Sequence, residues 1–272
     1  LVPGYDFIDD VTVAIDGDGL DPDPDDPGYL DGAGVAGYHG THVAGIIAAA
    51  ADNGIGVAGV AGAAGQVRVM PLRVCGQGGC PMIAVANAIR FAAGETVAGV
   101  KAARKADIIN LSLGGTGSCP QVYQDAISAA RASGVLVFAA AGNGYQQGNL
   151  SVTPANCEGV IAVAATGPDG SRAFYSQVQP YVDVAAPGGD SSRIAFAQTQ
   201  VYSTWALGLR RWPLDSRTPS YRPLQGTSMA SPHAAGVAAL MRSVWSAMSP
   251  ADFDAALGSG RLTSTVDGIP GK

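Results

Sequence analysis

Of 272 residues, 47% are hydrophobic, only 14% are charged and 38 are glycine; this is the balance of a globular sheet-and-helix chain and excludes a disordered or coiled-coil one. The formal net charge is −6 and no Lys/Arg cluster occurs, so neither nucleic acid nor an anionic membrane surface is expected as a partner. No apolar run reaches the ~20 residues of a membrane span.

In chain order, residues 11–16 (Val-Thr-Val-Ala-Ile-Asp) alternate like a short strand. An acidic stretch follows, in which Asp16, Asp18, Asp21, Asp23, Asp25 and Asp26 are interleaved with prolines. The periodicity then predicts a helix over 40–51, a strand over 67–72, a helix over 81–93, a strand over 108–113 and a helix over 121–132. Strands follow over 135–140, 160–164 and 182–185. A long irregular surface excursion covers 190–223. Two last helices are predicted over 228–247 and 250–257, the second with Ser249 as N-cap and Pro250 in its first position. The strand runs are almost continuously apolar, as strands covered on both faces are. Strands alternating with helices predict an α/β fold with a mostly parallel central sheet flanked by helices. With no repeat and no linker, residues 1–272 read as a single domain.

Four cysteines, Cys75, Cys80, Cys119 and Cys157, allow three pairings. An even count without metal-type spacing fits two disulfides in a secreted protein, against four buried thiols in a cytosolic one. Cys75 and Cys80 can close a small glycine-rich loop, which leaves Cys119 with Cys157. No signal peptide is visible and the chain starts at Leu1, as a processed product or a fragment would.

The chemistry concentrates in Gly226-Thr-Ser-Met-Ala-Ser-Pro-His233 and His39-Gly-Thr-His-Val-Ala-Gly45. The first puts Ser228 at the start of a helix, where unpaired N–H groups and the helix dipole favour developing negative charge. The second offers an imidazole as general base. Taken singly, Ser228 is a helix cap, His39 a packed histidine and Asn143 a turn residue. Taken together they point to catalysis, because all three histidines of the chain, His39, His42 and His233, fall inside the two motifs.

These two motifs resemble the histidine and serine signatures of the subtilases, the subtilisin-like serine peptidases. Ser112-Leu-Gly-Gly115, Ala139-Ala-Ala-Gly-Asn143 and Ala185-Ala-Pro-Gly188 are similar to three further family segments, in the family's order, from Leu1 to about Leu257. Pro3-Gly-Tyr-Asp-Phe7 and the acidic stretch resemble a secreted bacterial subgroup, whose disulfide pattern supports Cys119–Cys157. The resemblance implies a subtilisin-like three-layer fold and a serine endopeptidase that needs no cofactor for catalysis. It implies Ser228 as nucleophile, His39 as general base and Asn143 as oxyanion donor. Ser112, Leu113 and Gly114 would offer a strand edge to polypeptide substrate, and Ala141 and Gly142 would line a roomy apolar pocket. His42 and His233 are expected to be structural. A propeptide in the precursor and a monomeric state are also implied.

The family's aspartate precedes the histidine, at the end of a strand in an apolar-Asp-Thr/Ser-Gly setting. Asp16 does not fit: Gly17-Asp18 follows it, its distance from His39 is short, and the subgroup's acidic loop comes after the catalytic strand. Asp183 belongs to a different family segment. The expectation is that residues 1–272 lack the N-terminal strand carrying the catalytic Asp, and that the chain alone folds poorly and is nearly inactive. The alternative is a non-catalytic relative or inactive fragment that binds peptides or calcium. Asp18, Asp21, Asp23 and Asp26 are candidate ligands of a structural Ca²⁺, since crowded carboxylates repel unless solvated or bound to a cation; the bland reading is a solvated acidic turn.

Overall fold

The computed structural model describes residues 1–30, 36–63, 65, 67–211, 214–260, 262, 266 and 269. Its centre is a parallel sheet of β3 (Ile108–Leu111), β5 (Leu136–Ala140), β7 (Ile161–Thr166) and β8 (Val182–Pro187), ordered β8-β7-β5-β3. Every residue of β5 and β7 is buried. Alternation along β5 divides the core. Val137 and Ala139 pack with Val85, Ile89, Tyr123 and Ile127 from α3 (Met82–Ala92) and α4 (Gln121–Ala132). Leu136 and Phe138 face the other way, onto Ala230, Ala235 and Ala238 of α5 (Thr227–Val244) and Phe253 of α6 (Pro250–Gly258). Continuously apolar strands thus stand in the middle of three layers, as their sequence requires.

A second parallel pair joins β1 (Tyr5–Asp6) to β2 (Leu72–Arg73). Leu72 packs into the same apolar cluster as Ile109 and Leu111 of β3. Among the described residues β2 pairs only with β1, and β3 only with β5, so each keeps one open edge. Two shorter strands, β4 (Gly115–Thr116) and β6 (Val152–Thr153), form an antiparallel ribbon. Beyond it the Cys119–Cys157 disulfide joins the same two segments, and Cys75–Cys80 closes the glycine loop.

The helices form close to where the periodicity puts them, and α6 carries the full capping box between Ser249 and Asp252. Three local differences have physical causes. Val11–Ala14, strand-like in its alternation, is a single helical turn, α1, because the Asp10 carboxylate accepts from Thr12 N–H. The strand expected over 67–72 is reduced to β2, paired through the carbonyls of Val69 and Pro71. The irregular excursion contains a long antiparallel hairpin, β9 (Val201–Leu207) with β10 (Thr218–Leu224). Its prolines, Pro219 and Pro223, are tolerated because a two-stranded ribbon is all edge. Trp212 and Pro213 of this excursion lie outside the described residues.

The hairpin lies against α2 (His39–Ala48). Ser203 Oγ donates to His42 O at 2.7 Å and Thr204 Oγ1 to Thr41 O at 2.8 Å. Gly45 makes this approach possible: a Cβ there would stand 2.4 Å from Ser203 Oγ and 2.2 Å from Thr204 Oγ1. Gly45→Ala is therefore expected to destabilise the fold by about 1–3 kcal/mol, the usual cost of overpacking. Urea unfolding measures this, and an unchanged midpoint would contradict the close seating of hairpin on helix.

Candidate active site

The first turn of α5 forms one wall of a cavity of about 380 Å³ that Ser228 and Asn143 both line. Gly226 precedes the helix at φ 154°, a conformation open to glycine. A Cβ on Gly226 would sit 3.4 Å from Asn143 Nδ2 and 3.6 Å from the Ser228 nitrogen. The two donors thus border the same space. Asn143 is held there through its oxygen: Oδ1 accepts from Thr227 N–H at 2.8 Å and from Thr227 Oγ1 at 2.9 Å. That leaves the Nδ2 amide for another acceptor. The Ser228 N–H lies in the first helical turn, where no intrahelical acceptor exists.

Ser228 is also tied to the end of β3. Its Oγ contacts Ser112 O at 3.4 Å, while Ser112 Oγ donates to Ser228 O at 2.7 Å. Asn110 donates from Nδ2 to Ser112 Oγ, and its Oδ1 accepts from Ser231 Oγ. Ser112 therefore positions the serine, whereas Leu113 and Gly114 line the cavity. Gly142 lines it too, but Ala141 does not: it is fully buried beside Ala164 and Val182. Thr116, Gln147, Leu150, Val152, Gln177 and Thr227 also line the cavity. Thr227 lies inside the serine motif; the others fall outside every motif and are scattered along the chain.

His39 opens α2, and the packing of Val43 and Ile46 against Met229 brings that helix to the first turn of α5. Burial, and then the charge of His42, lower the His39 pKa below its usual value. The neutral imidazole, which can accept a proton, is the favoured form. Among the described residues, no hydrogen bond to the His39 ring is formed. Asp16 is not its partner, since Arg73 engages it together with buried Asp6. Asp183 lies in β8 and accepts from Ala162 N–H at 3.0 Å.

The other two histidines are held by backbone. His42 is fully buried, with Nε2 bonded to Arg222 O at 2.9 Å. His233 Nδ1 bonds Met229 O at 2.8 Å. Before His39, Tyr38 packs edge-on against Trp205 and its hydroxyl donates to Gly208 O at 2.8 Å.

The acidic stretch divides into two groups. Carboxylate oxygens of Asp16, Asp18 and Asp21 lie within 4.8 Å of one another. Asp23 and Asp25 instead face the hairpin's arginines: Arg210 approaches Asp23 at 3.6 Å, and Arg217 binds Asp25 at 2.7 Å. Burial works against the Asp25 carboxylate, yet hydrogen bonds from Arg217 and Arg210 hold it below its ordinary pKa. Asp26 accepts from Gly28 N–H at 2.8 Å, and burial raises its pKa. Asp18 and Asp21 therefore cluster with Asp16, not with Asp23 and Asp26.

The model of the subtilase family matches residues 9–261. The chain belongs to the subtilase family. An extracellular protease of Xanthomonas campestris is 42% identical over 285 residues, covering 100% of this chain and 45% of its own. An extracellular basic protease of Dichelobacter nodosus is 37% identical over 89% of this chain and 39% of its own. The chain thus spans less than half the length of these two relatives. Thermitase of Thermoactinomyces vulgaris is 35% identical over 89% of this chain and 68% of its own. A solved protease of Pseudoalteromonas arctica superposes with a TM-score of 0.85 at 41% identity, covering 98% of this chain and 78% of that one. The subtilase fold is thus present, with its serine and histidine segments in one place.

Replacing Asn143 with alanine is expected to slow phosphonylation of Ser228 by a fluorophosphonate roughly 10²–10³-fold, the cost of losing one preorganised donor. Stopped-flow labelling measures it; an unchanged rate would show that the amide does not act on the reacting oxygen.

Proposed function

We propose that this chain is the catalytic domain of a secreted serine endopeptidase. The observation that carries the proposal is the shared cavity: Ser228 and two donors without an acceptor among the described residues, Asn143 Nδ2 and Ser228 N–H, border one space beside the helix that starts at His39. Ser228 Oγ attacks the scissile carbonyl while His39 accepts its proton. The carbonyl oxygen becomes an oxyanion between Asn143 Nδ2 and Ser228 N–H. As the intermediate collapses to the acyl-enzyme, His39 returns the proton to the leaving amine. Water then repeats the sequence and releases the acid. The substrate backbone adds along the edge of residues 112–114. Extracellular relatives and two disulfides support secretion.

The reaction needs a carboxylate to orient the imidazole and stabilise its cation. We infer that it comes from a segment outside residues 1–272, as a strand seated between the open edges of β2 and β3. The support is that Leu72 and Leu111 already share one apolar cluster while their strands keep unpaired edges. Residues 1–272 alone are then expected to label at Ser228 roughly 10⁴-fold more slowly than the full-length protein, the order of the loss when the aspartate alone is removed. Fluorophosphonate labelling of both forms tests this; equal rates would refute it.

Asp16, Asp18 and Asp21 fit a structural Ca²⁺: hard oxygens converge, and burial together with the Asp18 and Asp16 charges raises the Asp21 pKa. A cation relieves that repulsion. Calcium at about 100 Kd is expected to stabilise the protein by about 2.7 kcal/mol. Asp18→Asn and Asp21→Asn should abolish the gain and Asp23→Asn should keep it. Calorimetry with and without calcium decides, and loss of the gain in Asp23→Asn alone would contradict the assignment.

A further inference from the structure

Gln177 is only 2% exposed, yet it lines the cavity beside Ser228. It makes three bonds to the surrounding walls. Its backbone N–H donates to Gly142 O at 3.0 Å and its Oε1 accepts from Gly144 N–H at 3.1 Å. Its Nε2 donates to Leu150 O. The first two bonds bracket Asn143 on both sides. The third reaches the opposite wall, which runs through Leu150 and Val152 into the β4/β6 ribbon. The fit is close: a Cβ on Gly142 would stand 1.9 Å from Gln177 Oε1.

Charge adds a second constraint. Among the described residues that line the cavity there is no Asp, Glu, Lys, Arg or His. Its polarity comes from amides and hydroxyls, with Gln177 the buried amide that spans both walls.

We propose that Gln177 is a positioning and specificity-determining residue. It holds the loop of Asn143 in register with the cavity wall, and it keeps the cavity selective for an uncharged side chain on the acyl side of the scissile bond. The inference rests on the peptidase reading above. An amide is required because the two ends need opposite hydrogen-bonding roles: Gly144 offers an N–H and Leu150 a carbonyl. Asparagine is too short for both, and methionine has the length but only a weakly accepting thioether. Glutamate keeps the acceptor for Gly144 but sets a carboxylate against Leu150 O. That repulsion turns the charge into the cavity, where a substrate lysine or arginine can pair with it.

A residue that only supports the fold would lower activity on all substrates alike. Gln177 instead changes the choice among them. The test compares full-length protein, Q177E and Q177M on peptides that differ only in having Leu, Gln or Lys before the cut. Active sites are counted by fluorophosphonate labelling. The expected result is a Lys-over-Gln ratio of kcat/KM in Q177E about tenfold or more above that of the unsubstituted protein. In Q177M, kcat on the Leu peptide is expected to fall about tenfold with KM nearly constant, because the loop of Asn143 loses its anchor. A Lys-over-Gln ratio unchanged in labelled Q177E would overturn the specificity role. If Q177E does not fold, Q177M decides: an unchanged kcat would overturn the positioning role. Unsubstituted protein that neither labels nor cleaves any peptide would overturn the peptidase reading itself, which the failure of a variant alone does not.

Discussion

One asparagine oxygen and one threonine hold the site together. Asn143 Oδ1 receives both polar hydrogens of Thr227, from its nitrogen and from its hydroxyl. Thr227 Oγ1 also accepts from Gly142 N–H at 3.1 Å. Thr227 is fully buried, so breaking these bonds would leave its polar groups without partners, which is costly. They join the loop after the central strand β5 to the first turn of α5. The Asn143 amide nitrogen then has one orientation, and the Ser228 N–H another, fixed by the helix. A reacting oxygen meets donors already in place, which is the condition under which hydrogen bonds lower a barrier most.

The remaining layers make that junction rigid. β5 and β7 are buried on both faces, so the loop leaves a strand that cannot slide. Met229, beside the serine, packs on Val43 and Ile46 of the histidine helix. The hairpin of β9 and β10 presses on the same helix from outside, and its arginines reach the acidic stretch. The serine and histidine segments are far apart in sequence yet brace each other, and the hairpin ties the histidine helix to the acidic stretch. The unpaired edges of β2 and β3, whose Leu72 and Leu111 share one apolar cluster, are the weak line in this frame.

Much of this was legible in the sequence. Apolar runs such as Leu136–Ala140 announce strands covered on both faces, and Ser249-Pro250 announces the start of α6. The motifs around His39, Asn143 and Ser228 declare the family because their residue types are each demanded by local backbone or chemistry. Other features depend on partners remote in sequence. Spacing groups Asp23 with Asp18, but Arg210, far down the chain, draws it away. The strand-like alternation of Val11 to Asp16 yields to a single cap from Asp10. Ala141, expected in the cavity, packs in the core beside Ala164 and Val182, while Ala140 and Gly142 on either side of it line the cavity. Gln177 carries no motif at all. Its importance comes from bonds to Gly142, Gly144 and Leu150 that only the folded chain brings within reach.

The central claim is that Asn143 Nδ2 and the Ser228 N–H are the paired donors for the oxygen that develops charge. A crystal structure of the full-length protein with a phosphonate bonded to Ser228 tests it most directly. The phosphoryl oxygen should lie within hydrogen-bond distance of both nitrogens, with Asn143 Oδ1 still held by Thr227. An oxygen directed elsewhere, or an Asn143 side chain turned away from Thr227, would contradict the account.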